Sequence, residues 1–368
     1  MAKGKKAASI LNAASWEFLK NYINNPSPVG FESSGQKLWL KYTKDFADTQ
    51  FTDPYGTAVS VINPDAPFKV VIEAHADEIS WFVNYISPDG LLYLKRNGGV
   101  DHQIAPAKRV LIHGKKGAVK AVFGWPAIHS RISNNDNKEP QPKVDNLFLD
   151  CGARNKKEIE SLGIHIGAVV TYEEGFESLA YGYLIGRAFD NRIGGFMIAE
   201  VARLLKANKK KLPYGLYVVN AVQEEIGLRG AEMIARRIKP NVAIITDVTH
   251  DTTTPMMNKV MDGETACGKG PALTYGPAVH NKMLDLVQAT AAKHKIPVQC
   301  HAVSRSTGTD TDSFAYANDG CPSVLISIPL RYMHTTVEML HTSDIEHTIK
   351  LMYETLLSLS PKTNLSYF

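Results

Sequence analysis

Two adjacent glutamates, Glu224 and Glu225, follow the apolar run GLYVVNAVQ. Two carboxylates side by side at a strand end repel each other unless a cation is near. A glycosidase would need its two carboxyl groups facing each other across a sugar, about 5–9.5 Å apart. Neighbours in sequence point in different directions instead. A division of labour fits better: one glutamate binds metal while its neighbour handles the proton. His75 follows KVVIEA, with Asp77 two residues on. A carboxylate that holds the second ring nitrogen turns a histidine into a well-oriented ligand. Asp190 follows YLIGRAF, Asp247 ends VAIITD, and His334 comes a short loop after SVLISIPL. Each has a plainer reading taken singly: Asp190 as a helix N-cap, Asp247 as a loop cap, either histidine as an ordinary surface or core residue. Their common position, just after apolar strands, argues for a set.

Ligand type narrows the metal. Two imidazoles and three carboxylates without a thiolate suit Zn²⁺, Co²⁺ or Mn²⁺. Five protein ligands exceed the three usual for one catalytic ion. They suit two ions about 3.5–4 Å apart that share one carboxylate. Other chemistries lack their signatures. The GKG at Gly268–Gly270 has no phosphate-loop spacing, and no G-x-S-x-G elbow is present. Thr309 and Asp310 after Gly308 read equally as cleft lining or as a turn.

Such a centre needs a frame. From about Tyr183 strands and helices alternate, with helical stretches near Arg229–Ile238, Asn281–His294 and Asp344–Leu359. That alternation predicts an α/β fold: a mixed, mostly parallel sheet flanked by helices, with ligands outside its carboxyl edge. The N-terminal part reads helical, with Ser15 as a cap, before the strand FKVVIEA. Between about Asp77 and Gly175 the texture is β-rich, with hairpins around Pro88–Gly90 and Gly114–Gly117. This predicts an inserted small barrel or sandwich over residues 77–175. The discontinuous α/β domain then comprises 1–76 and 176–368.

Composition sets outer bounds. The chain has 368 residues, 41 Lys plus Arg against 37 Asp plus Glu, and a formal charge of +4. That near balance offers no general field for nucleic acid or a membrane surface. The cluster Lys209–Lys211 reads as a solvated helix end, and the stretch Arg131–Lys143 as a Lys-, Asn- and Pro-rich excursion. The four cysteines, Cys151, Cys267, Cys300 and Cys321, form no C-x-x-C pair and fit reduced thiols. The basic N-terminus continues into an apolar run broken by Asn12 and Glu17, which is no secretory signal. No run reaches the roughly 18–20 apolar residues a bilayer requires. A cytoplasmic setting is expected.

The chain resembles the two-metal glutamyl aminopeptidase and tetrahedral aminopeptidase family, some members of which carry an endoglucanase label. The resemblance rests on AHADEIS from Ala74, GRAFDNRIGG from Gly186, VQEEIGLRGA from Val222, TDVTH from Thr246, GTD from Gly308 and IPLRYMHT from Ile328. It implies a zinc-peptidase-like α/β domain with an inserted β-domain used for dimerisation. By the same motifs, His75, Asp190, Glu225, Asp247 and His334 would hold two divalent metal ions, with Asp190 as the bridge. Glu224 would be the general base acting on a water held between them, and Asp77 would support His75. The implied activity is removal of N-terminal residues from peptides by a homo-oligomer, a dimer or a tetrahedral dodecamer. Alternatives on the same residues are an endoglucanase-type glycosidase, an amide deacylase or carboxypeptidase, and a non-catalytic assembly protein. Ser80 and Thr311-Asp312-Ser313 depart from the usual family pattern, which has glycine or small residues there.

Overall fold

The run KVVIEAH forms the strand Lys69–His75, buried along nearly its whole length. Continuous burial is the mark of a central parallel strand covered on both faces. Its neighbours are Gly215–Ala221 on one side and Val242–His250 on the other, both parallel to it. Ser323–Leu330 adds a fourth parallel strand beside Val242–His250. The computed structural model describes residues 10–132 and 140–368. The basic start of the chain and most of the Arg131–Lys143 stretch lie outside those residues.

Among the described residues the strands form three sheets: one of eight strands, one of three, and a closed barrel of six. The large sheet runs Thr49–Thr52, Ala58–Ile62, Gly215–Ala221, Lys69–His75, Val242–His250, Ser323–Leu330, Ala272–Tyr275, Gln299–Ala302. Antiparallel pairs flank its parallel centre on both sides, and the outermost pair, Ala272–Tyr275 with Gln299–Ala302, is parallel again. Helices flank it, notably Phe189–Ala207 and Thr342–Ser358, which pack on the sheet and on each other. The expected class, a mixed and mostly parallel sheet with flanking helices and a small barrel, is the one observed.

Two apolar clusters hold the molecule. One gathers the sheet and its helices, with Val70, Ile72, Val218, Ile244, Phe196 and Ile326 fully buried. The other fills the barrel, whose strands run from Ser80–Ile86 to Val169–Tyr172, around Trp81, Leu92, Ile112, Phe123 and Leu149. Barrel strands bury one face only, as the mixed exposure along Gly117–Gly124 shows.

Local structure differs from the sequence expectations in three places. The first helix is Ala13–Asn24, capped by Asn12 rather than Ser15. Ser15 is the third helical residue and completes a capping box with Asn12. The strand Tyr183–Gly186 is not part of the large sheet. It pairs with Glu177–Ser178 and Glu338–His341 in the three-stranded sheet. Asp247 lies within its strand rather than at the end, because Val248, Thr249 and His250 continue to pair with Ile328, Pro329 and Leu330. Among the described residues no helix is long and apolar enough to cross a membrane.

Candidate metal centre

His75 is the last residue of its strand, in register with Ala221 next door. The chain leaving Ala221 turns through Gln223, whose φ of 57° is left-handed, into the short 3₁₀ turn Glu224–Ile226. Both glutamates are thereby delivered to the edge where His75 ends. Asp247 comes from the adjacent parallel strand. Asp190 arrives from the small sheet, through a left-handed Ala188 and the non-helical start of Phe189–Ala207. His334 lies on the loop after Ser323–Leu330, itself at a left-handed φ of 60°. Left-handed backbone is costly for residues other than glycine, and it gathers here around the polar groups.

The side chains converge. Nε2 of His75 lies 3.3 Å from Oδ1 of Asp190 and 3.8 Å from both Oε2 of Glu224 and Oδ1 of Asp247. Nε2 of His334 lies 3.2 Å from Oδ2 of Asp190 and 3.3 Å from Oε1 of Glu225. Asp190 therefore turns one oxygen to each imidazole. Two ligand groups, His75–Asp190–Asp247 and Asp190–Glu225–His334, each have their donor atoms within 4.8 Å of one another. Asp190 is common to both. Glu224 belongs to neither, although it forms a group of the same compactness with His75 and Glu225.

Asp77 is fully buried beneath these groups. Its Oδ1 accepts from the Glu224 N–H at 3.0 Å and its Oδ2 from the Glu225 N–H at 3.1 Å. Oδ1 also lies 3.4 Å from Nδ1 of His75. Nδ1 of His334 faces the carbonyl of Gly99, at 3.2 Å, in the segment that follows a barrel strand. A Cβ on Gly99 would come within 2.9 Å of the His334 ring, so the close approach requires glycine. In both histidines Nδ1 is turned away from the centre and Nε2 toward it, the orientation a metal ligand needs.

The electrostatics fit a cation. Burial raises the Glu224 carboxyl; His75 opposes this, but Asp310, Asp247 and Glu225 add to the rise, which reaches about 10. Burial likewise raises Glu225, and it lifts Asp247 well above the carboxylate range. For His334 burial acts downward, but the bonds to Asp190 and Glu225 outweigh it and push the imidazole up to about 11. For His75, too, burial acts downward and is overcome by Glu224, Asp190 and Asp77. Asp190 is the exception among the carboxyls. Burial would raise it, but hydrogen bonds from His334 and His75 hold it below its usual range. Carboxyls that keep protons and imidazoles that gain them mark an excess of negative charge, which divalent cations would neutralise in their place. The donor set, oxygen and imidazole nitrogen without sulfur, suits zinc, cobalt or manganese.

The sequence reading missed three neighbours. Glu338, buried on Glu338–His341, accepts from the N–H groups of both Asp190 and His334. Nothing in the spacing of VEML announces it beyond a charge in an apolar run. Glu78, buried, pairs with Arg187 at the cleft wall. Glu73, two residues before His75, lies buried beside Asp310, and burial raises it to about 8. Asp310 is thus buried behind the centre. The narrow cleft over Asp190, Glu225 and His334 is also bounded by Ile79, Tyr172 and Thr335.

Comparison with known proteins bears on this geometry. A model of the M42 glutamyl aminopeptidase family matches residues 56–351. The lysyl aminopeptidase of Pyrococcus furiosus is 33% identical over 349 residues, covering 94% of this chain and 98% of that protein. The crystal structure of a TET aminopeptidase from a marine sediment archaeon of the Thaumarchaeota superposes with a TM-score of 0.90 at 29% identity, covering 95% of this chain and 98% of that one. The TET1 peptidase of Pyrococcus horikoshii, described as assembling into a tetrahedron or a large octahedral shell, gives 0.82 at 25% identity, covering 94% and 100%.

Proposed function

The chain belongs to the M42 glutamyl aminopeptidase family, a family of metal-dependent hydrolases, and from that premise we propose that it is a two-metal aminopeptidase releasing N-terminal residues from peptides. The observation that carries the reading is the placement of Asp190, one oxygen toward each imidazole, between two ligand groups. His75, Asp190 and Asp247 would hold one cation, and Asp190, Glu225 and His334 the other. Zn²⁺ is the first choice, with Co²⁺ or Mn²⁺ as alternatives. When bound, such ions lower the pKa of a coordinated water toward neutrality and polarise a carbonyl oxygen.

Glu224 remains outside both three-residue groups, with its backbone N–H tied to Asp77. Its carboxylate is the general base: it takes the proton of the attacking water and returns it to the leaving amine. Protonated Glu224 would be useless for the first step. Its raised pKa comes first from burial, with Asp310, Asp247 and Glu225 adding to it, and cations held at Asp247 and Glu225 would lower it by favouring the charged form. Asp77 holds both glutamates and faces His75, so it keeps base and ligand at a fixed separation.

The rest of the proposal is architectural. The α/β part, divided from the insert at residues 76/77 and 175/176, would carry the chemistry, and the barrel would serve dimerisation. A homo-oligomer in the cytoplasm follows the same reading, with assemblies like that described for the Pyrococcus horikoshii peptidase.

A panel of aminoacyl anilides tests the activity, run on chelator-treated protein with Zn²⁺, Co²⁺ or Mn²⁺ added back. Free-amine substrates should be hydrolysed only after a cation is restored. Equal turnover of N-acetylated substrates would shift the reading to a deacylase. Chelator-insensitive release of sugar from cellulose would sink it in favour of a glycosidase.

A further inference from the structure

Four of the six residues at the centre have backbones outside the large sheet: Asp190, Glu224, Glu225 and His334. A buried N–H in irregular backbone has no ladder partner and must find another acceptor. For Glu224 and Glu225 that acceptor is Asp77. For Asp190 and His334 it is Glu338. Oε2 of Glu338 accepts from Asp190 at 3.0 Å, and Oε1 accepts from His334 at 2.9 Å. Glu338 is 2% exposed, and its own backbone is fixed in the small sheet opposite Gly186, next to the turn that delivers Asp190. One carboxylate thus joins two distant segments of the chain at the two residues that face each other across 3.2 Å.

We propose that Glu338 is a positioning residue for the cation centre, the counterpart of Asp77 on the opposite side. It sets the separation of the Asp190 and His334 backbones. It thereby decides whether Oδ2 of Asp190, Oε1 of Glu225 and Nε2 of His334 converge on one ion. Both carboxylate oxygens of Glu338 are taken up by backbone N–H groups, so it acts through Asp190 and His334. The inference rests on reading the centre as a two-cation site.

Glu338→Gln keeps the shape and one acceptor oxygen, but replaces the other with an amide that cannot accept an N–H. The full chain, stripped of metal, is titrated with Co²⁺ by calorimetry and visible absorption, and its apo thermal midpoint is measured. Wild type should bind two ions. Glu338→Gln should bind one of them about 10–100-fold more weakly, as is typical when a group that orients a ligand is lost. Its cobalt spectrum should change, and its apo midpoint should fall by no more than the loss of one buried hydrogen bond accounts for. At limiting cation kcat should fall with KM within about twofold, and excess cation should restore kcat. Glu338→Asp keeps both acceptors on a shorter stem and should weaken the same ion. Two wild-type affinities in Glu338→Gln would overturn the assignment, as would a lowered midpoint with affinities unchanged. Failure of both variants to fold would make Glu338 a folding residue and overturn it too. A wild type that binds no divalent ion would instead defeat the reading of the centre itself.

Discussion

The two imidazoles of the centre stand in contrasting surroundings. His75 ends a central parallel strand, its side chain 1% exposed and its backbone in register with Ala221 of the neighbouring strand. His334 stands on a loop in left-handed backbone, its side chain 33% exposed, and leans on Gly99 beside the barrel. The strands place the backbones of His75 and Asp247, and Asp77 faces the His75 ring from behind. The loop half, Asp190 and His334, depends on Glu338 and on a glycine that lets the ring approach. Sheet-borne ligands come pre-aligned by the hydrogen-bond ladder, whereas loop-borne ones need polar clamps of their own. The loop half also borders the cleft, together with Glu225.

The comparison breaks most completely at Asp190, which both halves share. Asp190→Ala should reduce bound cation at both positions together and bring anilide turnover to background. Metal analysis showing one ion retained with full activity would remove the sharing role. Glu224→Gln comes next. It should keep both ions and lower kcat by about 10²–10⁴-fold, the usual worth of a general base. A rate near wild type on aminoacyl anilides would end that assignment.

Smaller effects separate the two halves directly. His75→Ala removes a buried group from among several carboxylates and should cost the apo protein about 1–3 kcal/mol. His334→Ala removes a partly exposed ring and should cost the apo protein less than His75→Ala does, while still weakening cation binding. Denaturant melts of the two apo variants decide it, and equal losses would erase the distinction. The mildest change is Gly99→Ala, whose Cβ would meet the His334 ring at 2.9 Å. An overpacked contact worth about 1 kcal/mol should weaken one cation about fivefold. Unchanged binding of both ions would show that the barrel side imposes no constraint on His334.

Much of this was legible before any coordinates. KVVIEAH, GLYVVNAVQ, VAIITDV and SVLISIPL are apolar runs of strand length, each followed by or containing a polar residue. Burial on both faces leaves such a run few alternatives to a central strand. The hairpins of the barrel were marked by Pro88–Gly90 and Gly114–Gly117, where turn residues interrupt the strands. Tyr183–Gly186 was harder, because a four-residue strand has the same local pattern whichever sheet it joins. Its removal to the small sheet follows from pairing with Glu338–His341, a partner far along the chain. Glu338 was invisible for the same reason: of its two N–H partners His334 is four residues away, but Asp190 is brought to it from a remote part of the chain.

By itself, then, the sequence determined the central strands of the large sheet, the presence of a β-rich insert, the residue types gathered for a cation, and the family. Those are properties of local pattern and of motif, which survive without knowing what touches what. Only the tertiary structure decided that Asp190 faces both imidazoles, that Glu224 stands apart from both three-residue groups, and that Asp77 and Glu338 clamp opposite sides. Distances between segments remote in sequence depend on how sheet, loop and barrel pack together, and no local spacing encodes them.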